Sequence, residues 1–402
     1  MFGDWPHINA NWLRRFRSSL RRWHKRNGRD LPWRNCRDPY RVWVSEIMLQ
    51  QTTVTAVKPY FERFLQRFPN VAALAKADEA DVLKLWEGLG YYSRARNLRK
   101  AAQEIIANGG RFPKTVETWH ELPGIGRYTA GAIMSFALDR PAPILEANTL
   151  RLYCRLLGFR EDPRSTNGQR TLWSFAEQLV PTKSPGEFNQ ALMDLGATVC
   201  TPTDPHCNEC PVASCCRALA EEAQAEIPAP KRRPEITETH EACIAIESSG
   251  RYLIYRRPEG QRWAGLWDFP RFELPTNVMA TSPEVATAFL GRRPRPKKVR
   301  ATNAKLFLER RIATEFGPRV TITEQLTQIK HNVTRFRITL DCWLAEANGN
   351  ADVTTTFPTV WIAPAMFAKY PLSTTGRQLA ELLRQRLVTQ SARGSSATRP
   401  KS

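Results

Sequence analysis

No apolar run in this 402-residue chain approaches the roughly 18–20 residues that a membrane-spanning helix requires, so no membrane association is expected. Acid is scarce: 39 Asp and Glu stand against 59 Lys and Arg, which leaves a formal charge of +20. Only 6 histidines occur, none at the spacing of metal ligands. Glycine (21) and proline (29) stay near average usage, which excludes collagen-like and low-complexity chains. The stretch Met1–Arg22 carries charges where a signal peptide needs an apolar core, so secretion is not expected. The expectation is a soluble, monomeric cytoplasmic protein, nucleoid-associated if bacterial. Its 9 cysteines are then not a disulfide framework, because that compartment keeps thiols reduced. The positive surplus attracts polyanions, of which nucleic acid is the commonest.

The length suggests at least two domains. Residues 1–220 read as an all-α domain, with helical spacing of apolar residues in Val42–Thr53, Pro59–Phe68, Glu79–Trp86 and Ala95–Ala107. Asp38-Pro39 is a helix start, and Gly109-Gly110 a stop. Residues 221–237, ending in the proline-rich Ile227–Pro234, read as a linker. Residues 238–388 read as a smaller α+β domain: Ala242–Ile246, Tyr252–Tyr255 and Arg335–Leu344 as strands, Phe307–Glu315 as a helix. Arg292–Arg300 reads as a basic loop, and the polar residues 389–402 as a disordered tail.

Cys200, Cys207, Cys210 and Cys216 stand in the spacing C-x6-C-x2-C-x5-C within the loop 200–216. Four thiolates in so short a loop can surround zinc or an iron–sulfur cluster. Zinc sites more often use two close pairs, whereas here a single CxxC has two wider arms, which favours the cluster. Cys215, beside Cys216, competes for the fourth position.

Leu122-Pro-Gly-Ile-Gly-Arg-Tyr-Thr-Ala130 is a helix–turn–helix element. Gly124 and Gly126 let backbone N–H groups approach an anion such as a DNA phosphate, and the next helix adds its positive end. The arginines from Arg14 to Arg29 form a second basic stripe able to meet phosphates or simply to face solvent. Glu46 lies in Trp43-Val-Ser-Glu-Ile-Met-Leu49, among apolar side chains on a helix. Desolvation there raises a carboxyl pKa and suits a general acid near neutral pH. A second acid, Glu146, follows the apolar, strand-like run Ile144-Leu145, with Asn148 opening the next helix. One neutral and one ionised carboxyl can cleave a glycosidic bond: the first protonates the leaving group, the second stabilises an oxocarbenium-like sugar.

Together the glycine hairpin, the downstream acid and the cysteine loop resemble the helix-hairpin-helix DNA glycosylases. Ser45-Glu-Ile-Met-Leu-Gln-Gln-Thr52, Gly88-Leu-Gly-Tyr-Tyr-Ser-Arg-Ala-Arg-Asn97 and Phe188-Asn-Gln-Ala-Leu-Met-Asp-Leu-Gly196 resemble the A/G-specific adenine DNA glycosylases (MutY type). The resemblance implies a monofunctional enzyme that flips adenine out of A:8-oxoguanine or A:G mispairs in double-stranded DNA and hydrolyses its N-glycosidic bond. It makes Glu46 the acid that protonates adenine and Glu146 the sugar-stabilising anion, with Asn148 near it. Trp33, Arg34, Tyr128 and Gln190 would line the adenine pocket, while Gln50, Gln51 and Tyr91 would enter the duplex. Arg29 joins the DNA-binding set, and the four cysteines would hold a 4Fe-4S cluster. Tyr128 stands where related glycosylase/lyases carry a Schiff-base lysine, and a phenol forms no imine.

Two departures mark the chain. The family's second carboxylate is normally aspartate; Glu146 is one methylene longer, and such a displacement can cost roughly 10²-fold in rate. A lesion-binding protein of weakened activity is thus one alternative, and a glycosylase/lyase for oxidised pyrimidines another. The second half resembles the Nudix-like lesion-recognition domain, with Trp263-Ala-Gly-Leu-Trp-Asp-Phe-Pro270 matching a family motif. Val333-Thr334-Arg335 replaces the family's Phe-Ser-His, leaving the Thr334 hydroxyl to meet 8-oxoguanine. Phe307–Gly317 lacks most of the glutamates with which a Nudix hydrolase holds Mg²⁺.

Overall fold

The structure is a computed structural model that describes residues 8–34, 36–230, 235–275, 296–317, 319–347 and 353–396. Two compact units divide the chain: Met1–Leu85 with Ser93–Arg232, and Arg233–Ser402 with Trp86–Tyr92. No helix among the described residues is long and apolar enough to cross a membrane.

The first unit is helical. Helix Ala10–Asn27 is capped by the Asn9 side chain and buries Trp12, Phe16 and Leu20, one stripe at a spacing of four. That stripe stacks into a core with Tyr153, Phe175 and Phe188; the Trp12 and Phe16 rings lie 5.0 Å apart. The arginines of the same helix do not all face solvent. Arg17 donates from Nε to the Leu179 carbonyl and from Nη2 to that of Gln178, both at 2.9 Å, closing the carbonyl end of helix Thr166–Leu179.

Helix Pro39–Leu49 begins where the Asp38 carboxylate accepts the Tyr40 amide and Pro39 occupies the first turn. Every residue from Val42 to Met48 is buried, so this helix is a central rod that carries Glu46 into the interior. The hairpin joins helix Val116–His120 to helix Arg127–Phe136. Gly124 has φ +79°, and a Cβ there would lie 2.7 Å from the Asn97 Cβ, so conformation and space both demand glycine.

Three expectations change in this unit. Ile144-Leu145 is buried but forms no strand, because no ladder partner lies beside it in a helical unit; the Ile144 carbonyl instead takes the Tyr153 hydroxyl at 3.2 Å. Helix Ala147–Leu157 starts directly after Glu146. Residues 221–227 are not linker: Ala223 and Ile227 are buried in the helical core, and Arg155 binds the carbonyls of Gln224 and Ile227 at 2.9 Å each.

Among the described residues the second unit holds a mixed sheet of seven strands: β1 Thr237–Ser248, β2 Arg251–Arg256, β3 Trp267–Asp268, β4 Arg271–Glu273, β5 Val320–Val333, β6 Phe336–Ala347 and β7 Thr359–Ile362. Its order is β3-β2-β1-β6-β5, with β4 on β1 and β7 on β2. Among the named strand pairs of the described residues, β1 with β6 is the parallel one, and both sheet faces are covered, so the Glu241–Ile246 stretch of β1 is buried without a break. Leu308, Ile312 and Phe316 of helix Pro296–Phe316 pack on one face; Leu379, Ala380 and Leu383 of helix Thr374–Ser396 pack on the other. Residues 296–300 thus open a helix rather than extend a basic loop, proline being at home in a first helical turn, while 292–295 lie outside the described residues. The last helix runs through residues 389–396, which were expected to be disordered: that run has no proline and a single glycine to break it. Residues 397–402 lie outside the described set.

Candidate active site

A cleft of about 550 Å³ in the helical unit gathers most of the sequence-derived candidates: Glu46, Tyr128, Glu146 and Asn148 with Arg29, Trp33, Arg34, Gln50, Gln51 and Gln190. Glu46 is 4% exposed. Burial is the main cause that pushes its carboxyl up to about 7, and the negative charge of Glu146 adds to it. A hydrogen bond from Tyr128 and the charge of Arg34 pull the other way. The Tyr128 hydroxyl, from the first turn of helix Arg127–Phe136, donates to Glu46 Oε2 at 2.7 Å and lies 3.7 Å from the Met193 sulfur. Burial and the two carboxylates raise the phenol well above its ordinary value, so it remains a neutral donor.

Glu146 is the N-cap of helix Ala147–Leu157. Its Oε1 accepts the amides of Asn148 at 2.9 Å and Thr149 at 3.0 Å, while the Thr149 hydroxyl accepts the Glu146 amide at 2.9 Å. Glutamate is uncommon at a cap; here the longer chain folds back so that its carboxylate lies at the positive end of the helix. Burial raises its pKa, opposed by those two amides and by Arg151. The Asn148 Oδ1 accepts from Arg151 Nη2 at 3.0 Å, and the same guanidinium donates to the carbonyls of Cys200 at 2.7 Å and Gly196 at 2.5 Å. Gly196 lets helix Pro185–Thr198 come this close: a Cβ would lie 2.8 Å from the Asn148 Cβ.

The remaining walls come from several elements. Trp33 is buried with its ring edge-on to Phe61 at 5.4 Å. Gln50 donates to the Thr129 hydroxyl at 3.3 Å, and Gln51 is exposed with φ +56°. The turn that carries both is held by buried Arg94, whose Nη1 takes the carbonyls of Ile47 and Met48 at 2.9 Å each and that of Gln50. Arg29 is not a free phosphate-binding cation: its Nε donates to Asp194 Oδ1 at 2.6 Å, because a buried carboxylate outcompetes water for it. Arg34 likewise turns its fork onto Asp194.

Four further candidates lie elsewhere in their own units. Gly124 and Gly126 form the exposed hairpin turn. Tyr91, grouped with the second unit, is 45% exposed with φ +46°. Thr334, in the β5–β6 turn of the second unit, is exposed and donates its hydroxyl to the Val333 carbonyl at 2.7 Å.

Cys200, Cys207, Cys210 and Cys216 line one small cavity of about 20 Å³, together with Arg155, whose Nη1 lies 3.4 Å from the Cys200 sulfur. Burial, with the charges of the neighbouring cysteines, pushes Cys210 up to about 12 and Cys216 to about 11. Thiols so crowded ionise readily only where a shared cationic centre is there to stabilise the thiolates. Cys215 does not line the cavity but packs into the helical core, which leaves Cys216 as the fourth member. Among the described residues no group of three or more His, Cys, Asp or Glu side chains is arranged closely enough to hold a metal ion.

Residues 44–178 match the family model of the HhH-GPD superfamily base excision DNA repair proteins, and residues 241–382 match the NUDIX domain. An adenine DNA glycosylase of Buchnera aphidicola subsp. Schizaphis graminum is 40% identical over 260 residues, covering 64% of this chain and 75% of that protein. The chain belongs to the adenine DNA glycosylase family. The adenine DNA glycosylase of Mus musculus is 39% identical over 327 residues, 68% of this chain and 62% of its own length. For the human one the identity is 38% and the share of its length 59%, so the chain spans about three fifths of these two curated relatives. A solved thermostable thymine-DNA glycosylase matches 52% of this chain and 98% of its own at 30% identity, with a TM-score of 0.49.

For an adenine DNA glycosylase family member, the sequence motifs point to the acids but not to their supports. Asp194 and Met193 lie in the Phe188–Gly196 motif and Arg94 in the Gly88–Asn97 motif, and Arg151 lies outside all of them; sequence alone assigns a role to none of the four. The signal for Asp194 was available: it follows Gln190 by four residues, one turn along the same helix face, in an otherwise apolar stretch.

Proposed function

We propose that this chain is a monofunctional adenine DNA glycosylase that hydrolyses the N-glycosidic bond of adenine mispaired with 8-oxoguanine or guanine in duplex DNA. The observation that carries this reading is the pairing of a carboxyl half-protonated near pH 7, Glu46, with a carboxylate held at a helix N-terminus, Glu146, in one cleft. With an adenosine flipped into the cleft, Glu46 gives its proton to the departing purine as the bond to the sugar breaks. The Tyr128 hydroxyl fixes the Glu46 carboxyl for that transfer. Positive charge that develops on the sugar meets the Glu146 carboxylate, which the backbone amides hold in place and so need not be reorganised at the moment of reaction. Water completes the hydrolysis, its proton passing to Glu46, now ionised.

Cys200, Cys207, Cys210 and Cys216 would hold a 4Fe-4S cluster, and the shared cavity with its crowded thiols supports that fit. When bound, the cluster supplies a covalent cross-link for the loop 200–216. The second unit we assign to recognition of the base opposite adenine, with Thr334 exposed at a hairpin turn.

Single-turnover release of adenine from an A:8-oxoguanine duplex tests the reading, with strand scission measured before and after hot alkali. Release that appears only after alkali is expected, with Glu46→Gln inactive. Scission without alkali would show a lyase; no release at all would leave a lesion-binding protein.

A further inference from the structure

One wall of the cleft has no regular secondary structure. Residues 28–34 run in coil and turn, yet they carry Arg29, Trp33 and Arg34 to the base pocket. At its start the Gly28 amide closes the preceding helix on the His24 carbonyl at 2.8 Å, and further along the Arg34 amide bonds back to the Leu31 carbonyl at 2.9 Å. What fixes the wall is Asp194, on helix Pro185–Thr198, whose side chain is wholly buried. Its Oδ2 accepts the Arg29 amide at 3.0 Å and Arg34 Nη1 at 2.5 Å. Its Oδ1 accepts Arg29 Nε at 2.6 Å and Arg34 Nη2 at 2.7 Å. His24 Nε2 lies 3.3 Å away.

A buried ion pair is by itself weak evidence for function. This one differs because both arginines it holds line the cleft, and because Gln190, one turn earlier on the same helix, and the adjacent Met193 line it too. Asp194 therefore ties two walls of the pocket to each other. It also neutralises charge. Glu46 faces Tyr128 from helix Arg127–Phe136, Glu146 from the cap of helix Ala147–Leu157 and Arg34 from the 28–34 wall; Asp194 pairs with that Arg34 at 2.5 Å. Arg34 favours ionised Glu46, and the Asp194 carboxylate paired with it carries the opposite charge. Against the cost of burial, the nearby His24 and the hydrogen bonds from Arg34 and the Arg29 amide hold the Asp194 carboxyl well below the usual carboxylate range, so it is charged throughout the working range of pH.

We propose that Asp194 is a positioning residue of the glycosylase reaction, locking the 28–34 wall to the helix that carries Gln190 and masking the Arg34 charge from Glu46. The inference rests on the adenine-excision reading above. Its test is the pH profile of single-turnover adenine release by the full chain. In Asp194→Asn the unmasked Arg34 favours ionised Glu46, and the alkaline limb moves down by about one pH unit. The rate then falls about tenfold at about pH 8 and much less at about pH 5.5. Arg34→Gln moves the same limb upward, and the double variant returns it close to the wild-type position. Should Asp194→Asn not fold, the upward shift in Arg34→Gln still has to appear. A uniform loss at every pH, with no movement of the limb in any variant, would reduce Asp194 to scaffolding and overturn the proposal while leaving the glycosylase reading intact. Absence of release by the wild-type chain would instead remove the reading itself, and the proposal with it.

Discussion

Replacing Glu46 by glutamine should abolish adenine release and at the same time stabilise the helical unit, by an amount that depends on pH. The wild-type carboxyl titrates near 7 in the fold, against an ordinary 4.5. That displacement of about 2.5 units, at 1.36 kcal/mol each, amounts to about 3 kcal/mol. The folded pKa is the raised one, so the folded state holds its proton more tightly than the unfolded chain does. The group costs nothing well below pH 4.5, and its penalty grows as pH rises and is complete above about 7. Glutamine carries no charge at any pH, and its carbonyl can still accept the Tyr128 hydroxyl. Glu46→Gln should therefore exceed wild type by about 3 kcal/mol at about pH 8, and by under about 1 kcal/mol at about pH 5. For a unit of this size that is about 6–12 °C in Tm at the higher pH. Thermal melts of both proteins at the two pH values, followed by helical circular dichroism at one scan rate, measure it. A Tm difference that is the same at both pH values, or a variant less stable than wild type at about pH 8, would falsify the claim that burial holds a proton on Glu46.

Adenine release itself should fall as pH rises above about 7, the Glu46 value, since the ionised form has no proton to give; single-turnover rates across the range locate that limb, and a rate that climbs with pH refutes the acid role. Gly196→Ala should press on Asn148, where a Cβ would stand 2.8 Å from its neighbour, costing about 1–3 kcal/mol in denaturant titration and slowing release. Cys216→Ser should lose the visible absorbance of an iron–sulfur cluster, whereas Cys215→Ala, a core residue, should keep it; equal loss in both would contradict the cavity assignment. Gly124→Ala, at φ +79° and against Asn97, should cost about 1 kcal/mol or more and weaken duplex binding in a salt titration.

Local chemistry made much of this fold legible. Asp38-Pro39 starts a helix because a carboxylate accepts an orphan amide and proline has none to lose, and that helix is where the sequence puts it. The apolar neighbours of Glu46 foretell its burial, since every residue from Val42 to Met48 is inside. What the sequence conceals is tertiary. Nothing in Ile144-Leu145 says that no strand will lie beside it. Asp194 meets Arg29 and Arg34 from about 160 positions away, and an ion pair between distant segments leaves no periodic trace. Residues 221–227 read as linker because the carbonyls that Arg155 gathers have no signature of their own.

The capping of helix Ala147–Leu157 has one more consequence. Its first turn displays Asn148 and, a turn later, Arg151, and the oxygens that secure that turn are those of Glu146 itself. Deleting the carboxylate would loosen the platform on which its own neighbours stand, so no truncation at 146 can separate chemistry from architecture. The backbone, rather than the length of the side chain, dictates where the negative charge resides.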